Sequence, residues 1–128
     1  MKYLLDTHTY LWFRSSPGVL PEAVLDLLTN MSHDVHISIV TPWELAIKAG
    51  IGKLNVTELL VDLEGREIAA GFSFAAITPA QAIRSGLLPL HHRDPFDRLL
   101  AAQALDLRIP IVSKDTIFDR YGVQRIWR

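Results

Sequence analysis

Four carboxylates lie near the ends of predicted strands or the starts of predicted helices: Asp6, Glu44, Asp97 and Asp115. Carboxylates gathered within ~4–6 Å repel one another, so either their pKa values rise or a cation binds among them. Oxygen ligands favour a hard ion, Mg²⁺ or Mn²⁺, over zinc, and the chain contains no cysteine. Such an ion activates water and stabilises negative charge on a phosphodiester, so the pattern predicts metal-dependent hydrolysis.

We expect these four acids to have different roles in hydrolysis. Asp6 and Asp97 are the first candidates for direct ligation of the ion. Glu44 would orient the attacking water or act as the base, and Asp115 would complete the site or hold a second ion. Asp94 directly precedes a proline, which favours a helix-capping role, and it therefore ranks below Asp97 as a ligand.

Structural roles are an alternative explanation for some of these acids. Glu44 is the third residue of a capping box that begins at Thr41, and it can also pair with Lys48 one helical turn later. Asp97 can complete a capping box that begins at Asp94, and its negative charge can interact favourably with the N-terminal end of the helix dipole. Both explanations are compatible with a protein that binds no metal.

Strands and helices alternate along the chain. Apolar and β-branched runs predict strands at residues 3–5, 35–40 and 109–113, and a weaker one at 123–127. Helix starts are predicted where a capping residue precedes proline, at Thr41, Thr78 and Asp94. Amphipathic patterns predict two further helices at residues 21–31 and 56–70, and the helix over residues 97–107 is apolar enough to be mostly buried.

This order predicts a three-layer α/β/α sandwich with a central, mainly parallel sheet of four to five strands. With 128 residues, the chain is expected to form a single domain over residues 1–128. In such sheets the ligand site lies beyond the carboxyl ends of the strands. The predicted positions of the four acids would bring them to that edge.

The composition of 49% hydrophobic and 21% charged residues is typical of globular proteins and argues against disorder. The longest apolar stretch, residues 68–77, is far shorter than the ~20 residues of a membrane span. Without cysteine or an apolar leader, a cytoplasmic protein is expected.

The net charge is −1, but the first 64 residues hold four bases and eight acids, and the last 64 hold nine bases and six acids. This asymmetry allows a basic surface beside an acidic centre, and ordinary solvated charges would also explain it.

Four sequence blocks, in this order, resemble the PIN-domain ribonucleases, specifically the VapC-type toxins of bacterial toxin-antitoxin pairs. They are LLDTHTYLW at residues 4–12, ISIVTPWELAIK at 37–48, HHRDPFDRLLAAQA at 91–104 and IVSKD at 111–115. The resemblance implies a Mg²⁺- or Mn²⁺-dependent endoribonuclease whose acids are Asp6, Glu44, Asp97 and Asp115. Thr7 and Ser113 match the small hydroxyl positions next to the family's acids.

The same resemblance implies an RNA substrate, a homodimer and a VapB-type antitoxin that covers the active site. Tyr10, Trp12 and Phe13 would either anchor a partner helix or, as is more common at such spacing, belong to the core. Scattered arginines could track an RNA backbone: Arg93, Arg98, Arg120, Arg125 and Arg128. His91 and His92 could contact the substrate or, as is more common for a polar pair in a loop, have no role.

Three alternatives remain at this point. A phosphatase with Asp6 as nucleophile would want a second aspartate at position 8, where the chain has His8. A receiver-type module would need an acceptor aspartate at the end of a central strand together with a later lysine, for which Lys114 is available. The third alternative is a non-enzymatic binding module whose acids serve as helix caps and in ion pairs.

Overall fold

The computed structural model describes all residues, 1–128, and contains five strands and eight helices. The strands are β1 (Lys2–Leu5), β2 (Asp34–Ser38), β3 (Ser73–Ala75), β4 (Ile111–Val112) and β5 (Arg125–Ile126). The helices are α1 (Thr7–Ser15), α2 (Glu22–Thr29), α3 (Val40–Gly50), α4 (Thr57–Leu60), α5 (Leu63–Ala69), α6 (Pro79–Leu87), α7 (Pro95–Leu107) and α8 (Ile117–Arg120), with a short 3₁₀ turn at Pro17–Val19.

All five strands form one parallel sheet in the order β3-β2-β1-β4-β5. The central strand is β1, where Leu5 lies opposite Ile37 of β2 and Val112 of β4. The predicted α/β fold with a parallel sheet of four to five strands is therefore confirmed. Because the strands are parallel, the residues that follow β1, β2 and β4 all lie along one edge of the sheet.

The hydrophobic core has two parts, one on each face of the sheet. Successive side chains of a strand point to opposite faces, so Leu5 joins a cluster of 13 buried residues and Leu4 joins another of 10. Helix α7 contributes Leu99, Leu100 and Ala101 to the smaller cluster. The expected burial of this helix is thus observed, and it fixes the start of α7 beside the carboxyl edge of β1.

Several predicted boundaries were wrong. Strand β2 ends at Ser38 rather than at residue 40, because α3 already begins at Val40. The strand predicted at 109–113 is reduced to β4, and that at 123–127 to β5. Strand β3 was not predicted, because its three residues lie within an apolar stretch that shows no alternation.

The helix predicted over residues 56–70 is in fact two short helices, α4 and α5. The break falls at Asp62, whose left-handed backbone (φ 49°, ψ 36°) cannot belong to a continuous right-handed helix. The apolar pattern continues across this break, so periodicity alone does not detect it. No helix in the structure has both the length and the apolar character that spanning a membrane requires.

Two of the three predicted helix caps are present. Thr78 forms a reciprocal capping box with Gln81, and the Asp94 side chain accepts a 2.9 Å hydrogen bond from the backbone N–H of Phe96. The cap predicted at Thr41 is wrong, because Thr41 lies within α3. The hydroxyl of Ser38 instead accepts the N–H of Val40 at 3.0 Å, so α3 starts earlier than the proline pattern indicates.

Candidate active site

Three of the predicted site acids have little contact with solvent. Asp6 separates β1 from α1 and is 3% exposed, and Glu44 in the first half of α3 is 2% exposed. Asp97 lies in the first turn of α7, where its side chain is 13% exposed. A buried carboxylate is costly unless it is paired or neutralised.

Only one of the two carboxylate oxygens of Asp6 has a hydrogen-bond partner. Its Oδ2 accepts a 2.7 Å hydrogen bond from Ser113 Oγ, whereas its Oδ1 is buried without a partner. Burial and, to a lesser extent, the charge of Asp97 raise the pKa of Asp6 from 3.8 to about 7, against the opposing effects of Ser113 and His8. The chain therefore holds a carboxyl group that ionises near neutral pH and has one oxygen free.

Glu44 likewise has a hydrogen-bond partner for only one of its two carboxylate oxygens. Lys48 Nζ lies 2.5 Å from Glu44 Oε2, which is the i,i+4 pair expected from the sequence, and this hydrogen bond raises the pKa of Lys48. The other oxygen, Oε1, is buried and has no hydrogen-bond partner. The ion pair thus does not account for the whole side chain, and a second carboxylate oxygen remains free.

Asp97 does not complete a capping box with Asp94, since Asp94 caps α7 by itself. Instead, Asp97 Oδ2 lies 2.8 Å from His92 Nε2. Burial raises the pKa of Asp97, and the charges of Asp94 and Glu44 raise it further, while His92 lowers it. One ligand atom each of His92, Asp94 and Asp97 lie within 4.8 Å of one another, a separation that a metal ion can bridge.

Asp115 is exposed and lies at the rim of the site. Its backbone N–H donates to Ser113 Oγ at 3.0 Å, and its Oδ1 accepts the N–H of Ile117 at the same distance, so Asp115 caps a turn. It nevertheless lines the same open cavity as Asp6, with a volume of about 400 Å³. The other lining residues are His8, Trp12, Lys114 and Thr116.

The four acids therefore lie along the carboxyl edge of the sheet. Asp97 influences the ionisation of Asp6, Glu44 influences that of Asp97, and Asp115 shares a cavity with Asp6. Of the two hydroxyls singled out from the sequence, that of Ser113 bonds Asp6, whereas that of Thr7 lies 3.1 Å from the Thr41 hydroxyl.

The three aromatic residues predicted as core or partner anchors all belong to the core or pack against it. Tyr10 is fully buried, whereas Trp12 and Phe13 are partly buried and pack against the larger core cluster. Sequence reasoning missed Trp43, which is 50% exposed at the start of α3 and packs edge-to-face on Phe96 with ring centroids 5.0 Å apart. Its position next to Glu44 in the chain was the available signal.

Arg98 cannot track an RNA backbone, so that prediction was wrong for this residue. It is 7% exposed, and its guanidinium donates to backbone carbonyl oxygens of the segment between α6 and α7. Arg125 is also engaged, in an ion pair with Asp119 at 3.0 Å. These contacts leave fewer arginines for a substrate than the sequence suggests.

Fold and site together define a class of protein, an α/β domain with buried carboxylates at the carboxyl edge of a parallel sheet. The model of the PIN domain family matches residues 3–124. The chain therefore belongs to the PIN domain family, a family of nucleases. No curated protein resembles the chain closely enough in sequence to count as a relative.

Solved structures support the fold assignment. DNA-bound VapBC from Salmonella typhimurium is similar with a TM-score of 0.73 at 22% identity, covering 100% of this chain and 99% of that one. VapBC2 from Rickettsia felis, bound to a promoter DNA fragment, is similar with a TM-score of 0.72 at 17% identity and covers 98% of both chains. VapBC-1 from nontypeable Haemophilus influenzae has a TM-score of 0.66 at 20% identity, covering 98% of this chain and 97% of that one.

Proposed function

We propose that this protein is a Mg²⁺- or Mn²⁺-dependent endoribonuclease that hydrolyses RNA phosphodiester bonds. The observation that carries the proposal is the pair of buried, unpartnered carboxylate oxygens, Asp6 Oδ1 and Glu44 Oε1, at the carboxyl edge of the sheet. Buried oxygens without a donor are costly, and a cation among them would remove that cost.

We assign ligation of the ion to Asp6, Glu44, Asp97 and Asp115. The donors are carboxylate oxygens, which suits a hard divalent ion that also takes oxygens from the substrate phosphate. When bound, the ion would supply an activated water and stabilise charge on the phosphate and on the leaving oxygen. The chain's own contribution is to hold these oxygens in place before the substrate arrives.

Each acid has a partner that fixes one oxygen and leaves another for the reaction. Ser113 holds Asp6 Oδ2, and Lys48 holds Glu44 Oε2. The free Oε1 of Glu44 is then available to orient the attacking water or to take its proton. At neutral pH the raised pKa of Asp6 keeps a fraction of this carboxyl protonated, so cation binding will release protons.

RNA is the substrate we infer, and single-stranded RNA the preferred form. The cavity beside Asp6 and Asp115 is open and lined by Trp12 and Lys114. Trp43 presents a half-exposed indole near the start of α3. Aromatic faces stack on unpaired bases and a lysine attracts the phosphate backbone, which together suit a flexible strand better than a duplex. We place this activity in the cytoplasm, where cellular RNA is found.

We further propose that the protein is the toxin of a toxin-antitoxin pair, acts as a homodimer and is restrained by a VapB-type antitoxin. The support is the fold similarity to VapBC structures over nearly the whole length of both chains.

The alternatives receive less support from the geometry. A receiver-type module needs an acceptor aspartate at the end of a strand beside β1, but β2 ends at Ser38 and β4 is followed by Ser113. The phosphatase alternative has His8 where its second aspartate belongs. A binding module would not explain two buried carboxylate oxygens without partners.

The test is incubation of the purified protein with defined RNAs in Mg²⁺ or Mn²⁺, alongside EDTA and the variant Asp6→Asn. We expect cleavage that requires metal and is lost in Asp6→Asn. Asp26→Asn changes an exposed acid of α2 in the same way and should cleave normally. Stable phosphorylation of an aspartate would support the receiver, and a lack of cleavage with a melting temperature unaffected by metal would support the binding module.

A further inference from the structure

The segment between α6 and α7 places an imidazole against the acidic site. His92 Nε2 lies 2.8 Å from Asp97 Oδ2, and the His92 side chain is 30% exposed. From the sequence, His91 and His92 could contact the substrate, although a pair of histidines in a polar loop usually has no role. The contact with Asp97 distinguishes His92 from its neighbour, whose ring instead packs on Tyr121.

The hydrogen bonds of His92 fix which ring nitrogen carries the proton. The backbone N–H of Arg93 donates to His92 Nδ1 at 3.1 Å, so Nδ1 acts as an acceptor. A neutral imidazole has one donor and one acceptor, and Nε2 must then be the donor. His92 therefore donates its Nε2–H to Asp97 Oδ2 and leaves Oδ1 of that carboxylate for another partner.

The backbone of His92 is itself held from two sides. Its N–H donates to the hydroxyl of Tyr121 at 3.0 Å, and its carbonyl oxygen accepts from Arg98 Nη1 at 3.3 Å. The guanidinium of Arg98 also donates to the carbonyl oxygens of Leu88 at 2.8 Å and Pro89 at 3.0 Å. Arg98 follows Asp97 directly, so one helical turn of α7 supplies both the acid and the residue that shapes the segment facing it.

We propose that His92 is a positioning residue for Asp97 in the nuclease reaction, with Arg98 and Tyr121 fixing the segment that carries it. The inference rests on the proposed metal-dependent function. A carboxylate that binds a metal through one oxygen is oriented by a donor on the other, and loss of such a donor typically weakens metal binding roughly 10- to 100-fold. His92 supplies that donor from a segment held by hydrogen bonds with Arg98 and Tyr121, so Asp97 is already oriented when the cation arrives.

The test compares Mn²⁺ binding, measured by electron paramagnetic resonance of the free ion, in the wild type, His92→Phe and His92→Gln. Phenylalanine fills the ring volume without a donor, and glutamine can place an amide N–H near the position of Nε2. We expect His92→Phe to bind Mn²⁺ roughly 10- to 100-fold more weakly and His92→Gln to recover most of the affinity. All measurements are made well below the melting temperature of each variant, which separates this effect from unfolding.

The matched control is His36→Phe, because His36 also lies beside an aspartate that is not one of the site acids, with its Nε2 3.1 Å from Asp34 Oδ2 in the middle of β2. This variant should bind Mn²⁺ like the wild type. Wild-type affinity in His92→Phe would overturn the inference while leaving the proposed function intact. A nitrogen coupling to bound Mn²⁺ that disappears in both His92 variants would overturn it in favour of direct ligation by His92. A wild type that binds no Mn²⁺ would overturn the proposed function together with this inference.

Discussion

Ser113 Oγ donates a 2.7 Å hydrogen bond to Asp6 Oδ2 across 107 residues of sequence. The same hydroxyl oxygen accepts the backbone N–H of Asp115 at 3.0 Å, so one small side chain connects two of the site acids. The contact exists because β1 and β4 are neighbours in the sheet and both end at this edge. It determines which oxygen of Asp6 is left without a partner.

Replacing this hydroxyl tests the arrangement directly. In Ser113→Ala the pKa of Asp6 should rise further, because the hydrogen bond that opposes its burial is lost. Hydrogen bonds to charged groups contribute about 1.5–3 kcal/mol, so Mn²⁺ binding should weaken roughly ten- to a hundredfold at pH 7. Titration calorimetry measures this change. Ser85→Ala, which removes an exposed hydroxyl of α6, is the control. Unchanged Mn²⁺ affinity in Ser113→Ala would show that the hydrogen bond from Ser113 to Asp6 does not contribute to metal binding.

The free energy of unfolding of the metal-free protein should depend on the protonation state of Asp6. Its pKa is raised by folding from 3.8 to about 7, so the associated stabilisation is fully present below pH 4 and is lost as pH rises through 7. One pKa unit corresponds to about 1.4 kcal/mol, so the loss amounts to a few kcal/mol. Urea unfolding of the wild type and Asp6→Asn from pH 4 to 8 should show Asp6→Asn gaining relative stability as pH rises. A constant difference between the two would contradict this prediction.

An ion pair between a buried glutamate and a partly exposed arginine, away from the acidic site, should affect stability but not catalysis. Glu67 is fully buried and accepts hydrogen bonds from Tyr10 and from Arg14, whose Nε lies 2.8 Å from Glu67 Oε2. Arg14→Met leaves only Arg66, at 3.9 Å from Glu67 Oε2, to compensate the buried charge, and should cost up to about 3–5 kcal/mol in the free energy of unfolding.

The double variant Arg14→Met/Glu67→Leu removes both charges and should recover much of that loss. Chemical denaturation measures the stability of all three proteins, and RNA cleavage below their melting temperatures should remain close to that of the wild type. A double variant less stable than Arg14→Met would mean that Tyr10, left without its acceptor, contributes more than the ion pair.

The exposed indole of Trp43 should contribute to substrate binding. Stacking of a base on an aromatic side chain contributes about 1–3 kcal/mol, so Trp43→Ala should bind single-stranded RNA roughly 5- to 150-fold more weakly. Trp43→Phe should keep most of the affinity. Fluorescence anisotropy in the Asp6→Asn background avoids cleavage during the measurement. Ile51→Ala removes another exposed apolar side chain, just after α3, and should have no effect. Equal affinity of Trp43→Ala and its parent would exclude stacking.

Local sequence was enough to predict much of the fold and some contacts of the site. Alternating strand and helix patterns indicated a parallel α/β sheet, and acids after strands pointed to its carboxyl edge. The pair of Glu44 and Lys48 followed from helical spacing, because residues four apart lie on the same face of a helix. The caps at Thr78 and Asp94 followed from the residues themselves, since a cap bonds an N–H two or three positions away.

The sequence by itself therefore determined the alternation of strands and helices and the edge at which the acids meet, because both depend on short-range patterns and on the geometry of parallel strands. Only the tertiary structure decided which carboxylate oxygens are free. Ser113 reaches Asp6 because β4 pairs with β1, and Arg98 shapes the segment of His92 because that segment folds back over α7. Strand β3 and the break at Asp62 were missed for the same reason: packing against the rest of the chain, rather than local propensity, decides them.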